Sequence, residues 1–178
     1  CPRGGFLNEQ RRFGFETKLI LSINDIYNEL QLRVRTNGTL GQRFTPERCF
    51  GQGRPASPIA WNILYDPNID ELCRSGLVYR ISGRYQAIFI FADDTLVICN
   101  CPDALQMTIT ICRLLIRRTE MRANVGKSAV MIFGKNRRKL KRKLQFFWGD
   151  DKIPITESYK YLGVHFHEDF PNLCCWNL

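Results

Sequence analysis

Apolar residues recur along this chain at two periods, and the switches between them divide it into elements. Leu19, Ile20, Ile23, Ile26, Tyr27 and Leu30 return every three or four residues, which predicts an amphipathic helix over residues 17–30. Just beyond, the period drops to two. Leu32, Val34 and Thr36 alternate with polar residues up to Asn37-Gly38, the dipeptide best suited to a two-residue turn, so LQLRVRTNGTLGQRF should form a basic hairpin. Ser57 and Pro58 then supply an N-cap and a first-turn proline, opening a helix expected to run to about Asp66, where Pro67 kinks or ends it. Pro102-Asp103 opens another, with Leu105, Ile109, Cys112, Leu115 and Ile116 as its buried stripe. SAVMIFG, residues 128–134, reads as a buried strand, and residues 144–166 as two or three short strands joined by turns.

One apolar run, QAIFIFADDTLVIC, is broken in its middle by Asp93 and Asp94. Read as strand, turn and strand, it lifts both carboxylates to a tight turn with apolar flanks packed below. Adjacent carboxylates in a low-dielectric setting repel by several kcal/mol, a conflict that a divalent cation removes. Hard oxygen ligands suit Mg²⁺, which is held by one or two protein carboxylates together with substrate phosphates, the arrangement used in two-metal phosphoryl transfer. The alternative is an ordinary polar turn, and the chain contains a competitor: Gly149-Asp150-Asp151 also lies between strand-like runs. Pro154 close behind it argues against a central strand, so this second pair is read as a plain turn.

Composition narrows the partners. At 178 residues and 44% hydrophobic, the chain has the size of one domain with a core, and 26 Lys and Arg against 17 Asp and Glu give a formal charge of +9, which favours a polyanion such as nucleic acid. No apolar stretch approaches the roughly 18 residues of a membrane span. Eight cysteines without a CxxC pair, with Cys73, Cys99 and Cys112 inside apolar segments, are expected to be reduced thiols. His165, His167, Cys174 and Cys175 fit no common zinc spacing. Residues 135–143, KNRRKLKRK, carry seven basic side chains in nine positions and read as a solvated loop. Such a loop can also track phosphates, through Arg137, Arg138, Lys139, Lys141, Arg142 and Lys143. The start at Cys1 and the ending in CCWNL suggest an excerpt of a longer chain.

The order of motifs resembles the reverse transcriptases of non-LTR (LINE-type) retrotransposons over about residues 4–166. The family's RQG-x-P-x-SP-x-x-FN is matched at Gln52, Gly53, Pro55, Ser57, Pro58 and Asn62, and its YADD by Phe91 to Asp94. Its LN-x-x-K-T-x-x-M-x-F block resembles ANVGKSAVMIFG, with Asn124 and Lys127 in register, and its YLG segment resembles YKYLGVHF at 159–166. The resemblance implies a mixed α/β (α+β) fold: a polymerase palm, its antiparallel sheet backed by helices, with part of the fingers. It divides a single partial domain into a fingers and palm portion (1–56), a palm with the catalytic hairpin 86–99 (57–134), a basic loop (135–143) and a primer-grip region (144–170).

The implied reaction is RNA-directed DNA synthesis with two Mg²⁺ ions, or Mn²⁺, on an RNA template, a DNA primer and deoxynucleoside triphosphates. Asp93 and Asp94 take the metal and catalytic roles, and Lys127 steadies or protonates the leaving pyrophosphate. Gln52, Gly53, Phe91 and Asn62 lie by the nucleotide and template. Tyr161, Leu162 and Gly163 hold the primer. The implied location is intracellular, in the nucleus, away from membranes; oligomeric state is left open. The chain departs from the pattern at Gly51, where the family has arginine, at Cys49, a usual glycine, and at Phe91, which lacks the tyrosine hydroxyl. The strand bearing the family's first metal aspartate, in a pattern like D-x-x-x-AFD, is not in the sequence, and neither Asp25 nor Asp66, both on predicted helices, can replace it. Little polymerisation is therefore expected of the chain alone. Two other readings stay open: an inactive remnant that retains nucleic-acid binding, and another palm polymerase, such as a viral RNA polymerase, working through Asp150-Asp151.

Overall fold

The computed structural model describes residues 3–46, 57–80, 83, 88–119 and 121–169. Three helices gather round one apolar cluster: α1 (Arg3–Arg12), α2 (Thr17–Asn28) and α3 (Ser57–Arg74) bury Phe6, Tyr27, Ala60 and Leu64 together, with the rings of Phe6 and Tyr27 edge to face at 6.3 Å. The predicted helix at 17–30 is therefore α2. The helix expected to stop or kink near Asp66 instead runs on through Pro67 to Arg74. Pro67 removes one backbone hydrogen bond, at a cost of about 3 kcal/mol. Leu64 and Leu72 are buried on either side of it, and roughly 2 kcal/mol from each offsets that cost.

A second cluster lies on α4 (Pro102–Arg118). Its Ile109, with Leu105 at the margin, packs on Val130, Phe146 and Ile153. Pro102 at the first helical position and Asp103 in the first turn open this helix, and Arg117 and Arg118 close it, which suits its macrodipole at both ends. Arg118 also reaches Glu71 of α3 at 3.0 Å, tying the two clusters.

Strands come as four antiparallel hairpins: β1 (Leu32–Thr36) with β2 (Thr39–Phe44), β3 (Ile88–Phe91) with β4 (Asp94–Val97), β5 (Phe146–Trp148) with β6 (Asp151–Ile153), and β7 (Ser158–Tyr161) with β8 (Val164–His167). Asn37 and Gly38 both take positive φ, 50° and 80°, the conformation a two-residue hairpin of that sequence requires. The single antiparallel sheet expected of the fold is not seen among the described residues; each hairpin is its own two-stranded sheet. Side chains and two isolated backbone bridges, Val78 with Cys99 just past β4 and Val130 with Ile155 just past β6, join the hairpins to their neighbours.

Two further expectations are corrected. Residues 128–134 do not form a strand: Val130 alone makes a parallel bridge to Ile155, bonding to Pro154 and Thr156 at 2.9 Å each, because the next proline has no N–H to extend the ladder. The basic run is not a loop but α5 (Arg137–Lys143). Arginine, lysine and leucine are good helix formers, and neighbouring carboxylates relieve the self-repulsion. Arg137 pairs with Glu168 at 3.3 Å and with Asp169, and Lys141 one turn later pairs with Glu168 and with Glu157 at 3.4 Å.

Candidate active site

Strands β3 and β4 meet with Phe91 opposite Asp94, leaving Ala92 and Asp93 as the whole turn. Ala92 takes φ 52°, a left-handed conformation that costs a residue with a Cβ about 1 kcal/mol. Asp93 stands in the turn and Asp94 begins β4, and both are exposed. Exposure corrects the low-dielectric argument: water screens their repulsion, so no buried conflict calls for a cation. The flanks are only half packed, with Ile88 and Ile90 partly covered and Phe91 63% exposed.

The turn is held from both sides through its backbone. From α3 the Trp61 indole N–H donates to the Ala92 carbonyl, and Trp61 stacks on Tyr65 with ring centroids 5.0 Å apart. From β7 the Tyr161 hydroxyl donates to the Phe89 carbonyl at 3.2 Å and approaches that of Asp94 at 3.5 Å. Both phenols are shifted above their ordinary value. Burial is the larger cause for each, followed by the negative field of Asp93 at Tyr65 and of Asp94 at Tyr161. The donors grip carbonyls, and among the described residues no hydrogen bond or ion pair engages the carboxylate oxygens of Asp93 and Asp94.

Lys127 ends a single 3₁₀ turn, Val125–Lys127, and its side chain is exposed. Its carbonyl accepts a hydrogen bond from the Tyr159 hydroxyl. Tyr159 and Tyr161 are two apart on β7 and so share a face. One strand thus clasps both the Lys127 turn and the Asp93 hairpin, and brings those two predicted regions together. Leu162 and Gly163 form the β7–β8 turn, with φ of 47° and 84°, and Leu162 is exposed. Asn62 is exposed on α3, and the residue that reaches the hairpin is its neighbour Trp61. Gln52 and Gly53 lie outside the described residues, as do Cys49 and Gly51.

Of the six α5 residues expected to meet phosphates, Arg137 and Lys141 are engaged by acidic side chains, while Arg138, Lys139, Arg142 and Lys143 are exposed. An open cleft of about 610 Å³ lies between residues 122–126 and β6, lined by Arg122, Asn124, Asp151 and Lys152 among others, and takes in neither Asp93 nor Asp94. No helix among the described residues is long and apolar enough to cross a membrane. Cys73, Cys99, Cys101 and Cys112 are free thiols, and burial pushes the Cys112 thiol up to about 11.

Sequence reasoning missed Trp61, Tyr159 and Gln106, whose amide exchanges two hydrogen bonds with the Phe147 backbone at 3.0 and 2.9 Å. The family pattern carries phenylalanine where this chain has Trp61, and the extra N–H was the only signal available.

The sequence pattern of the reverse transcriptase (RNA-dependent DNA polymerase) family matches residues 5–166, and the chain belongs to that family. It is a reverse transcriptase domain of the non-LTR retrotransposon type. A relative is the retrovirus-related Pol polyprotein from type-2 retrotransposable element R2DM of Drosophila melanogaster, 24% identical over 162 residues. The match covers 88% of this chain and 15% of that polyprotein.

Proposed function

We propose that this chain forms the palm and part of the fingers of an RNA-directed DNA polymerase, and that Asp93 and Asp94 are its metal-binding carboxylates. The observation that carries the reading is the way the β3–β4 turn is held: Trp61 and Tyr161 bond to carbonyls of the hairpin, so the strands are fixed and the carboxylates stay open. Two exposed, adjacent carboxylates suit Mg²⁺ or Mn²⁺, which completes its shell with water and substrate phosphates; no group of three His, Cys, Asp or Glu is arranged to hold a metal among the described residues. When bound, the ions supply Lewis-acid polarisation and charge neutralisation at the phosphates.

In the proposed reaction the primer 3′-oxygen forms a bond to the α-phosphorus of a deoxynucleotide, and the bond to the pyrophosphate oxygen breaks. Lys127 donates a proton to, or holds charge on, that leaving group. Tyr161, with Leu162 and Gly163 at the tip of its hairpin, positions the primer end against β3–β4. Gln52, Gly53, Phe91 and Asn62 line the nucleotide and template side. The exposed face of α5 steadies the nucleic-acid backbone.

Primer extension on an RNA template by the polyprotein carrying this domain tests the reading. Replacing Asp93 and Asp94 together by alanine should lower the rate at least a thousandfold, equivalent to about 4 kcal/mol of lost transition-state stabilisation. The same change at Asp150 and Asp151 should leave most of the rate. The opposite ranking would move the metal site to the second pair. With two carboxylates rather than three at the site among the described residues, the isolated chain is expected to extend primers weakly.

A further inference from the structure

Every residue of both strands of the β1–β2 hairpin is exposed. Its pairing is irregular. The turn sets Thr36 opposite Thr39 and Arg35 opposite Leu40, but the next pairs are Arg33 with Arg43 and Leu32 with Phe44, so β2 carries one extra residue in a bulge at Gly41 and Gln42. Regular pairing from the same turn would set Arg43 opposite Leu32. The bulge therefore sorts the side chains: Arg33, Arg35 and Arg43 share one face, while Leu32, Val34 and Phe44 share the other.

That sorting sets two guanidinium groups directly across from one another, an arrangement that destabilises a strand pair. No carboxylate relieves it: among the described residues none of the three arginines has an ion pair, and Arg43 donates only to the neutral Gln31 amide at 3.3 Å. The contrast is with Arg137 and Lys141, which are held by Glu168. Three exposed guanidinium groups, without an ion pair among the described residues, make a surface on a two-stranded ribbon whose complement is a row of anions.

We propose that this ribbon is a second nucleic-acid contact, gripping successive phosphates through Arg33, Arg35 and Arg43, with the Gly41–Gln42 bulge setting the grip. The choice of nucleic acid as the polyanion rests on the polymerase reading. Binding is measured without turnover, so the two can fail separately.

The test is equilibrium binding of the full chain to a short RNA–DNA hybrid across a salt series, with far-UV circular dichroism of every variant. Replacing Arg33, Arg35 and Arg43 by glutamine should flatten the log–log salt dependence by about two to three units, since each lost phosphate contact removes just under one. Exchanging the two neighbours, Arg43→Phe with Phe44→Arg, leaves the charge unchanged but moves the third guanidinium to the Leu32 face, and should flatten it by about one. Arg74→Gln, which removes one positive charge from an arginine already paired with Asp70, should leave the slope as it is. If the triple variant keeps the wild-type slope while Asp93→Ala/Asp94→Ala still abolishes extension, the ribbon inference falls and the polymerase reading stands. A folded exchange variant that binds as the wild type also overturns it, and should that variant fail to fold, the exposed triple substitution decides. Loss of binding to phosphatidylserine vesicles, with hybrid binding untouched, would assign the ribbon to membranes instead.

Discussion

Residues 91–94 and 148–151 are variations on one theme: an aromatic residue, a small one, then two aspartates. They fold alike. Phe91 pairs with Asp94 and Trp148 with Asp151, and the first turn residue is left-handed in each, Ala92 at φ 52° and Gly149 at φ 67°. What separates them is their surroundings. The β5–β6 hairpin is fastened to α4: Phe146 and Ile153 are buried in its cluster, Gln106 bonds twice to Phe147, and the Arg113 guanidinium lies so close to Gly149 that a Cβ there would meet it at 2.8 Å. The β3–β4 hairpin is held at its backbone by aromatic donors and leaves the turn open. The second turn carries the Arg113 guanidinium against Gly149, next to Asp150, whereas Trp61 and Tyr161 hold the backbone beside Asp93 and Asp94. Under the proposed reading it is the neighbours, not the dipeptide, that set the two turns apart.

The difference can be broken from either side. The largest change in stability is expected for Gln106→Ala, which strips two hydrogen bonds from β5 and should cost about 2 kcal/mol in a denaturant titration. Trp61→Phe removes one donor from the first turn and should cost about 1 kcal/mol. It should slow primer extension more than it lowers stability, because it loosens the carboxylates. Exchanging the turn residues sharpens the comparison further. Gly149→Ala places a Cβ at positive φ against Arg113 and should destabilise by about 1 kcal/mol, whereas Ala92→Gly relieves a left-handed alanine and should change stability by less than about 1 kcal/mol.

The smallest effect is electrostatic. The Glu168 carboxyl is held below the ordinary glutamate range, chiefly by its hydrogen bond from Lys141, with Arg137 helping and burial opposing. A depressed folded value gives stability that is present above the unfolded glutamate pKa and is lost as pH falls through the folded one. Acid titration should therefore loosen α5 first, seen as lost helical ellipticity, and Glu168→Gln should remove that step.

Much of this was legible in the sequence where the signal is local. Asn37-Gly38 gave its turn, the apolar period gave α2 and α4, and Pro102 gave a helix start. The Asp93 hairpin followed from two short apolar runs. Failures came where tertiary packing overrides local preference. Pro67 sits inside α3 because leucines on both sides are buried, and α5 is a helix because Glu157, Glu168 and Asp169, 16 to 32 residues away, neutralise one of its faces. The contacts that shape the site were not legible at all: Trp61 to Ala92, Tyr159 to Lys127 and Tyr161 to Phe89 join residues 31, 32 and 72 apart, and nothing in a periodicity names such partners. The Gly41–Gln42 bulge escaped for a related reason, since a turn dipeptide fixes where a hairpin closes but not whether its far end stays in register.

The most direct test of the contrast is Mn²⁺ titrated into the ¹⁵N-labelled chain, reading paramagnetic broadening residue by residue. Amide signals of Phe91 to Thr95 should vanish first and survive in an Asp93→Ala/Asp94→Ala variant, while those of Trp148 to Lys152 persist in both. Equal broadening at the two turns, or broadening that begins at Asp150 and Asp151, would contradict the claim that surroundings alone make one of these hairpins a metal site.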